Sequence, residues 1–249
     1  MTVLGRSLCS ACAGLAVLLP AAAAGAWEYN ITPYAWMSGL EGDLGTVPGF
    51  PAQSVDLSFG DIWDDLDYGV FLFGSARNGP WVFYLDSSAV QTTSKETVNG
   101  PNVKSVEIES RTANIALALG RTVVVGPGYD VDVFGGVRHW SLDNDYKVRA
   151  ADGTTHRKST DADWTDPIIG LAGRYRFEGR WSAFGSADIG GFGVGSDFQW
   201  SFTAGVNYAF NDLASLSVGW RQIDVDYDDD GTVFDVTQSG PIVGLSFKF

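Results

Sequence analysis

Phe198-Gln199-Trp200-Ser201-Phe202-Thr203-Ala204-Gly205-Val206-Asn207-Tyr208-Ala209-Phe210 alternates without a break. Phe198, Trp200, Phe202, Ala204, Val206, Tyr208 and Phe210 share one face and are all apolar. Gln199, Ser201, Thr203, Gly205, Asn207 and Ala209 share the other and are small or polar. Successive side chains of a strand point to opposite sides, so this period predicts a strand with one greasy face and one wet face. The C-terminus repeats it, with Val243, Leu245, Phe247 and Phe249 opposed to Gly244, Ser246 and Lys248. The same reading places strands at residues 27–37, 68–77, 81–92, 109–123, 129–140, 166–177, 181–191 and 213–227, ten in all. In the last of these the phase slips, since Leu216, Val218 and Trp220 are even while Ile223, Val225 and Tyr227 are odd. A bulge near Arg221 or an exit from the apolar band accounts for the slip.

The connections alternate in length. Short turns lie at residues 78–80, 126–128, 178–180 and 211–212, and the other joins, at 39–67, 93–108, 141–165, 192–197 and 228–233, are mostly longer and polar. Ten up-and-down strands with both termini on the short-turn side require this arrangement. Bacterial outer-membrane barrels have the same asymmetry, an even strand number and membrane-spanning strands of about 9 to 11 residues. The expected fold is therefore all-β: a transmembrane antiparallel up-and-down barrel of about ten strands, with eight or twelve as the alternatives.

The aromatics decide the environment. Trp27, Trp81, Tyr129, Phe177, Trp181, Phe210 and Phe249 sit at strand ends beside the short turns or termini, and parity puts all seven on the apolar face. A soluble barrel or sandwich has no reason to gather rings at one end of so many strands, whereas a periplasmic interfacial girdle does. The polar face carries Asp86, Asp130, Asp132, Arg138, Arg174, Arg176, Asp188 and Lys248, which a watery lumen tolerates and lipid does not.

Composition agrees. The 249 residues are 45% hydrophobic, 13% aromatic and 18% charged, with a net charge of −14. The aromatic content argues against a disordered acidic chain, and the acidity against a nucleic-acid partner. Residues 1–26, with Arg6, an apolar run and Ala24-Gly25-Ala26, read as a secretory signal peptide, leaving 27–249 as the barrel domain. Cys9 and Cys12 leave with that leader, so the exported chain has neither disulfides nor thiol chemistry.

Gly244-Leu-Ser-Phe247-Lys-Phe249 resembles the C-terminal assembly signal of outer-membrane barrels, although Ile242 stands where a polar residue is commoner. Pro33-Tyr34-Ala35-Trp36, the Phe59-Gly-Asp61-Ile-Trp-Asp64-Asp-Leu66-Asp67 segment, Gly190-Gly-Phe-Gly-Val-Gly-Ser-Asp197 and Asp226-Tyr-Asp-Asp-Asp-Gly231 followed by Gly240-Pro241 are similar to a family of uncharacterised proteobacterial outer-membrane proteins. The resemblance covers essentially the whole exported chain. It implies location in the cell outer membrane and a barrel fold, and it brings no activity with it.

Function must then be read locally. Tyr34, Trp36, Asp86, Asp132, Arg138, Arg174, Arg176 and Asp188 are the expected lumen-lining residues, with Arg174 and Arg176 pairing with Asp86, Asp188 or Asp132 and with Phe71 and Phe73 also turned inward. A closed or narrowly gated barrel with a structural or surface-interaction role is the favoured reading, because ten strands enclose only modestly more room than the side-chain-filled eight. A small-solute channel lined by the same charges is the alternative.

Asp226, Asp228 and Asp230 precede Gly231 at alternate positions like half a calcium loop, but the twelfth position is Thr237 rather than Glu. The expectation is no cofactor, with calcium or magnesium at this acidic hairpin as the one alternative. Residues 61–67 form a second acidic cluster with Ile62, Trp63 and Leu66 at helical spacing, which either folds inward to constrict the lumen or caps the outer rim. Lys147, Arg149, His156, Arg157 and Lys158 gather base in one outer loop that suits lipopolysaccharide phosphates or simply solvent. Outer-membrane lipid and lipopolysaccharide are the expected partners, with the barrel assembly machinery and periplasmic chaperones during biogenesis. Catalysis of the outer-rim protease or lipid-modifying kind is not expected, since His139 falls on the apolar face by parity and no base and nucleophile pair up.

Overall fold

The computed structural model describes residues 27–45, 51–98 and 103–249; the signal peptide read at 1–26 lies outside them. Backbone groups inside a closed antiparallel sheet are all paired, which is why alternating sequence of this kind ends as a barrel rather than an open sheet. The strands are β1 (Glu28–Trp36), β2 (Gly39–Gly45), β3 (Gln53–Leu57), β4 (Leu66–Asn78), β5 (Trp81–Thr97), β6 (Val103–Gly126), β7 (Tyr129–Ala150), β8 (Thr155–Arg176), β9 (Trp181–Gly191), β10 (Phe198–Ala209), β11 (Ala214–Asp229) and β12 (Thr232–Lys248), with a short helix α1 (Phe59–Asp64) before β4. Ten of them close the barrel in the order β1-β4-β5-β6-β7-β8-β9-β10-β11-β12, and β12 returns to β1. At the seam Tyr29 and Phe249 exchange backbone hydrogen bonds of 3.1 and 2.9 Å.

The two extra strands extend one wall. Past a break at Met37 and Ser38, β2 carries on where β1 stops and pairs with the far half of β12, from Gly39 opposite Ser239 to Gly45 opposite Val233. β3 folds back on β2. The join read as a loop at 39–67 therefore contains a hairpin and a helix.

Several strands run well past the expected ends, and the joins read at 93–108, 141–165 and 228–233 are largely strand. The reason lies in β11. Its register with β10 and β12 runs without a shift, so no bulge occurs near Arg221. Instead the environment inverts. Near the short turns Val218 and Trp220 are exposed on the outside, and the inward positions are Ser217 and Arg221; beyond Arg221 the inward positions are the buried Ile223, Val225 and Tyr227, while the outward ones are Gln222, Asp224, Asp226 and Asp228. β7 does the same, passing from exposed Val133 and Val137 outside to buried Trp140 and Leu142 inside with Asp143 and Asp145 outside. β12 repeats it with Phe234 and Val236 inside and Asp235 outside.

The barrel thus has two storeys. The one next to the short turns is apolar outside and polar inside, and the outer one is polar outside with an apolar core inside. The seven rings at the short-turn end, Trp27, Trp81, Tyr129, Phe177, Trp181, Phe210 and Phe249, are all exposed on the barrel's exterior. At the opposite end β11 and β12 meet in a two-residue turn of Asp230 (φ 49) and Gly231 (φ 79), the pair of positive φ values that a tight hairpin matching strand twist demands.

Candidate functional site: the barrel interior

The outer storey is filled by Trp36, Trp140, Leu142, Trp164, Ile223, Val225, Tyr227, Phe234, Val236 and Ile242, drawn from β1, β7, β8, β11 and β12. Trp164 stacks on Tyr227 and on Trp140, with centroids 3.9 and 5.9 Å apart, and Phe234 packs against both tryptophans. Rings from facing walls therefore meet across the lumen.

Beneath this core lies a layer of buried charge. Arg138 makes a bidentate pair with Asp188 at 2.9 and 3.1 Å, and its Nη1 also donates to Gln199. Gln199 accepts in turn from the indole of Trp140 and donates to Asp166. Asp166 accepts as well from the Trp164 indole and from the backbone and hydroxyl of Ser196, which ties down the 192–197 join. Beside it Arg221 grips Asp86 at 2.9 and 2.6 Å, donates to the Tyr34 hydroxyl at 2.9 Å and lies over the Trp36 ring. Charges this deep persist only when paired and hydrogen-bonded, and the planar fork of arginine satisfies both carboxylate oxygens at once.

Below the charge layer a cavity of about 250 Å³ opens toward the short-turn end. One wall is apolar, built of Ala116, Ala118, Phe134 and Ile168; Gly170 makes room for the Phe134 ring, since a Cβ there would come within 2.5 Å of it. The opposite wall is hydroxylic, where Thr32, Ser246 and Ser217 form a chain of 2.7 and 2.8 Å contacts. At the mouth Arg77 holds Asp132 at 2.5 and 3.1 Å, with Tyr84 and Thr122 also donating to Asp132. Arg174 and Arg176 both reach Asp130, at 3.1 and 3.2 Å.

Of the residues expected to line the lumen, Tyr34, Asp86, Asp132, Arg138, Arg174 and Asp188 border this cavity, Trp36 is buried in the core above it and Arg176 stands at its mouth. The expected partners of Arg174 and Arg176 are corrected: neither meets Asp86, Asp132 or Asp188. Register explains it, because Asp130 lies directly opposite Arg174 across β7 and β8, whereas Asp132 faces Ala172. Asp86, Asp132 and Asp188 are taken by Arg221, Arg77 and Arg138.

The outer features divide. α1 begins at Ser58, whose side chain accepts from the Asp61 backbone while the Asp61 carboxylate accepts from the Ser58 backbone. None of its residues is buried and Trp63 is 61% exposed, so the helix stands outside the lumen, and the inward-folding alternative for 61–67 is overturned. Asp226 and Asp228 lie on the outer face of β11 and Asp230 in the turn. Among the described residues no group of three or more His, Cys, Asp or Glu side chains stands close enough to hold a metal ion. Asp226 has a raised pKa, first because it is partly buried and then because Asp235, Asp197, Asp224 and Asp228 surround it. The basic stretch at 147–158 is a hairpin tip of β7 and β8, where Lys147 sits opposite Arg157 and also contacts Glu107. His139 is on the exterior with Nδ1 3.0 Å from the Thr165 hydroxyl. In the terminal strand Phe247 and Phe249 are exposed outside, and Gly244 lets Tyr34 approach closely.

Arg77, Asp166, Gln199, Arg221, Trp140 and Trp164 were not singled out in the sequence as site residues. Arg221 had a signal, since it stands where the β11 phase reverses.

No protein-family model matches the chain, and neither does any curated protein; the resemblance to an uncharacterised outer-membrane family thus gains no family match. Among solved structures, the outer membrane protease OmpT from Escherichia coli shows a TM-score of 0.47 at 11% identity, covering 90% of this chain and 96% of its own. A major outer membrane protein from Thermus thermophilus gives 0.44 at 10%, covering 90% and 100%, and the translocator domain of the autotransporter NalP from Neisseria meningitidis 0.43 at 10%, covering 90% and 88%. Likeness at these scores carries no function across.

Proposed function

We propose that this chain is an integral outer-membrane barrel whose lumen is shut by its own outer storey and whose role is structural or surface-interacting. The stacked Trp140, Trp164, Tyr227 and Phe234 carry the reading, because a continuous aqueous path has to pass where these buried rings meet. Placement in the outer membrane is supported by the exposed apolar band, the aromatic girdle beside the short turns and the polar outer storey beyond the band. The short turns then face the periplasm. Arg149, Arg157 and Lys158 at the β7–β8 tip suit lipopolysaccharide phosphates, and the barrel assembly machinery would engage the β12 end at Phe247 and Phe249. Single-channel recording of the purified barrel in planar bilayers tests closure. Silence is the expected result; a steady conductance changed by Arg221→Ala establishes the small-solute channel instead.

A further inference from the structure

Resting on the reading that the lumen is closed from outside, we infer that the cavity beneath the charge layer is a periplasm-facing binding site for a small amphipathic monoanion, with one acidic group at the mouth and a ring or short chain inside. The charge at the mouth is uneven. Arg77 is committed to Asp132 in a bidentate pair, and Lys248 to Glu28 at 3.0 Å. Arg174 and Arg176 share the carboxylate of Asp130, which Arg77 also approaches at 4.0 Å, and their side chains are 41% and 52% exposed while that of Asp130 is 10% exposed. Three guanidinium groups on the two carboxylates of Asp130 and Asp132 leave a positive charge over, with free N–H donors of Arg174 and Arg176 presented to solvent at the entrance. An exposed guanidinium fork is the natural partner of a carboxylate or similar oxyanion.

Behind the mouth the site changes character. Ala116, Ala118, Phe134 and Ile168 form an apolar wall to which the ring of Tyr84 adds, 5.5 Å from that of Phe134. At the ceiling the charges of Arg138 and Arg221 are already matched by Asp188 and Asp86, and the Nε–H that each leaves without a partner is buried and offers a ligand no exposed surface. A second charged group going deep is therefore unfavoured, and an apolar body is favoured. The volume of about 250 Å³ lies just below that of pockets for drug-sized molecules, which admits a body of on the order of ten non-hydrogen atoms. A fully buried dianion does not fit this division, and on the facing wall the hydroxyls of Thr32, Ser217 and Ser246 are already paired with one another.

The test uses the full barrel in nanodiscs, with 4-fluorophenylacetate as probe and its uncharged amide as control, followed by fluorine NMR line broadening. The acid is expected to bind at least about tenfold more tightly than the amide, roughly 1.4 kcal/mol. Arg174→Gln with Arg176→Gln should bring the acid down to the level of the amide, and Ala118→Phe, which fills the cavity without altering charge, should abolish binding of both. Equal binding of acid and amide, or unchanged binding to Ala118→Phe, means partition into lipid and overturns the site, as does the absence of broadening at millimolar probe. Should the arginine variant fail to fold, the acid-to-amide ratio and the Ala118→Phe variant still decide. Conductance in planar bilayers accompanied by saturable binding overturns closure alone, and silence without binding overturns the cavity site alone.

Discussion

Trp164 lies on Tyr227 with ring centroids 3.9 Å apart and planes inclined by 11°, although the two residues belong to different hairpins on facing walls. This stack crosses the lumen and joins the β7–β8 hairpin to β11 without any shared backbone pairing. Trp164→Ala removes it together with the indole donor to Asp166, and the expected cost is about 3–5 kcal/mol for a large buried aromatic. Equilibrium urea unfolding in detergent micelles measures it; a loss below about 1 kcal/mol means that the ring is not part of the barrel's core.

Arg138 and Asp188 offer a second measurement. Their side chains are 2% and 8% exposed, and they pair through both nitrogens. Asp188→Ala leaves a buried guanidinium without its counter-ion and should cost about 3–5 kcal/mol, whereas Arg138→Met combined with Asp188→Leu should recover most of that loss, because the pair's attraction roughly offsets its desolvation. A double variant no better than the single one would show that Gln199 and Ser201, which also touch Arg138, depend on the charge itself.

The two storeys also explain what the sequence disclosed. Residues 198–210 lie in a strand that hardly leaves the apolar band, so their alternation keeps one phase from end to end and the fold was legible there. β11 crosses both storeys, and its slip at Arg221 carried the architecture in one strand: the same parity is wet below that residue and dry above it. Above the band the strands still alternate, but with aspartate outside, and polar outward positions at 141–165 read as loop. Arg174 was legible as an inward charge because parity alone decides that. Its partner was not, since choosing Asp130 over Asp132 requires the β7–β8 register, which no pattern within one strand contains. Trp140 lay at the end of an expected strand and Trp164 in the join read at 141–165, two residues before the next one, so neither could be told from an interfacial ring.

Inversion of the outer face makes the same substitution severe or harmless according to height. Leu171 is exposed midway up the apolar band on β8, and Asp161 is exposed on the outer storey of the same strand and the same face. Leu171→Arg puts a charge against lipid and should cost about 2–4 kcal/mol, while Asp161→Arg should stay within about 0.5 kcal/mol. Urea unfolding in phospholipid bilayers reads both, and equal effects would contradict a lipid boundary between the two positions.

Asp226 sets a pH dependence of the outer hairpin. Its pKa is raised by partial burial and by Asp235, directly across the ladder, together with Asp197, Asp224 and Asp228. The folded hairpin therefore holds this proton more tightly than the unfolded chain does, and stability falls as pH rises from the ordinary aspartate value near 3.9 through the raised one. Asp226 loses only part of its hydration and still meets solvent, so salt screens the effect. Asp226→Asn should stabilise the β11–β12 tip at neutral pH and flatten its response as pH rises from about 4. Hydrogen exchange of the tip amides over that range is the measurement. Protection that rises with pH in the unaltered protein, or a slope that Asp226→Asn leaves unchanged, would show that the neighbouring acids do not repel Asp226.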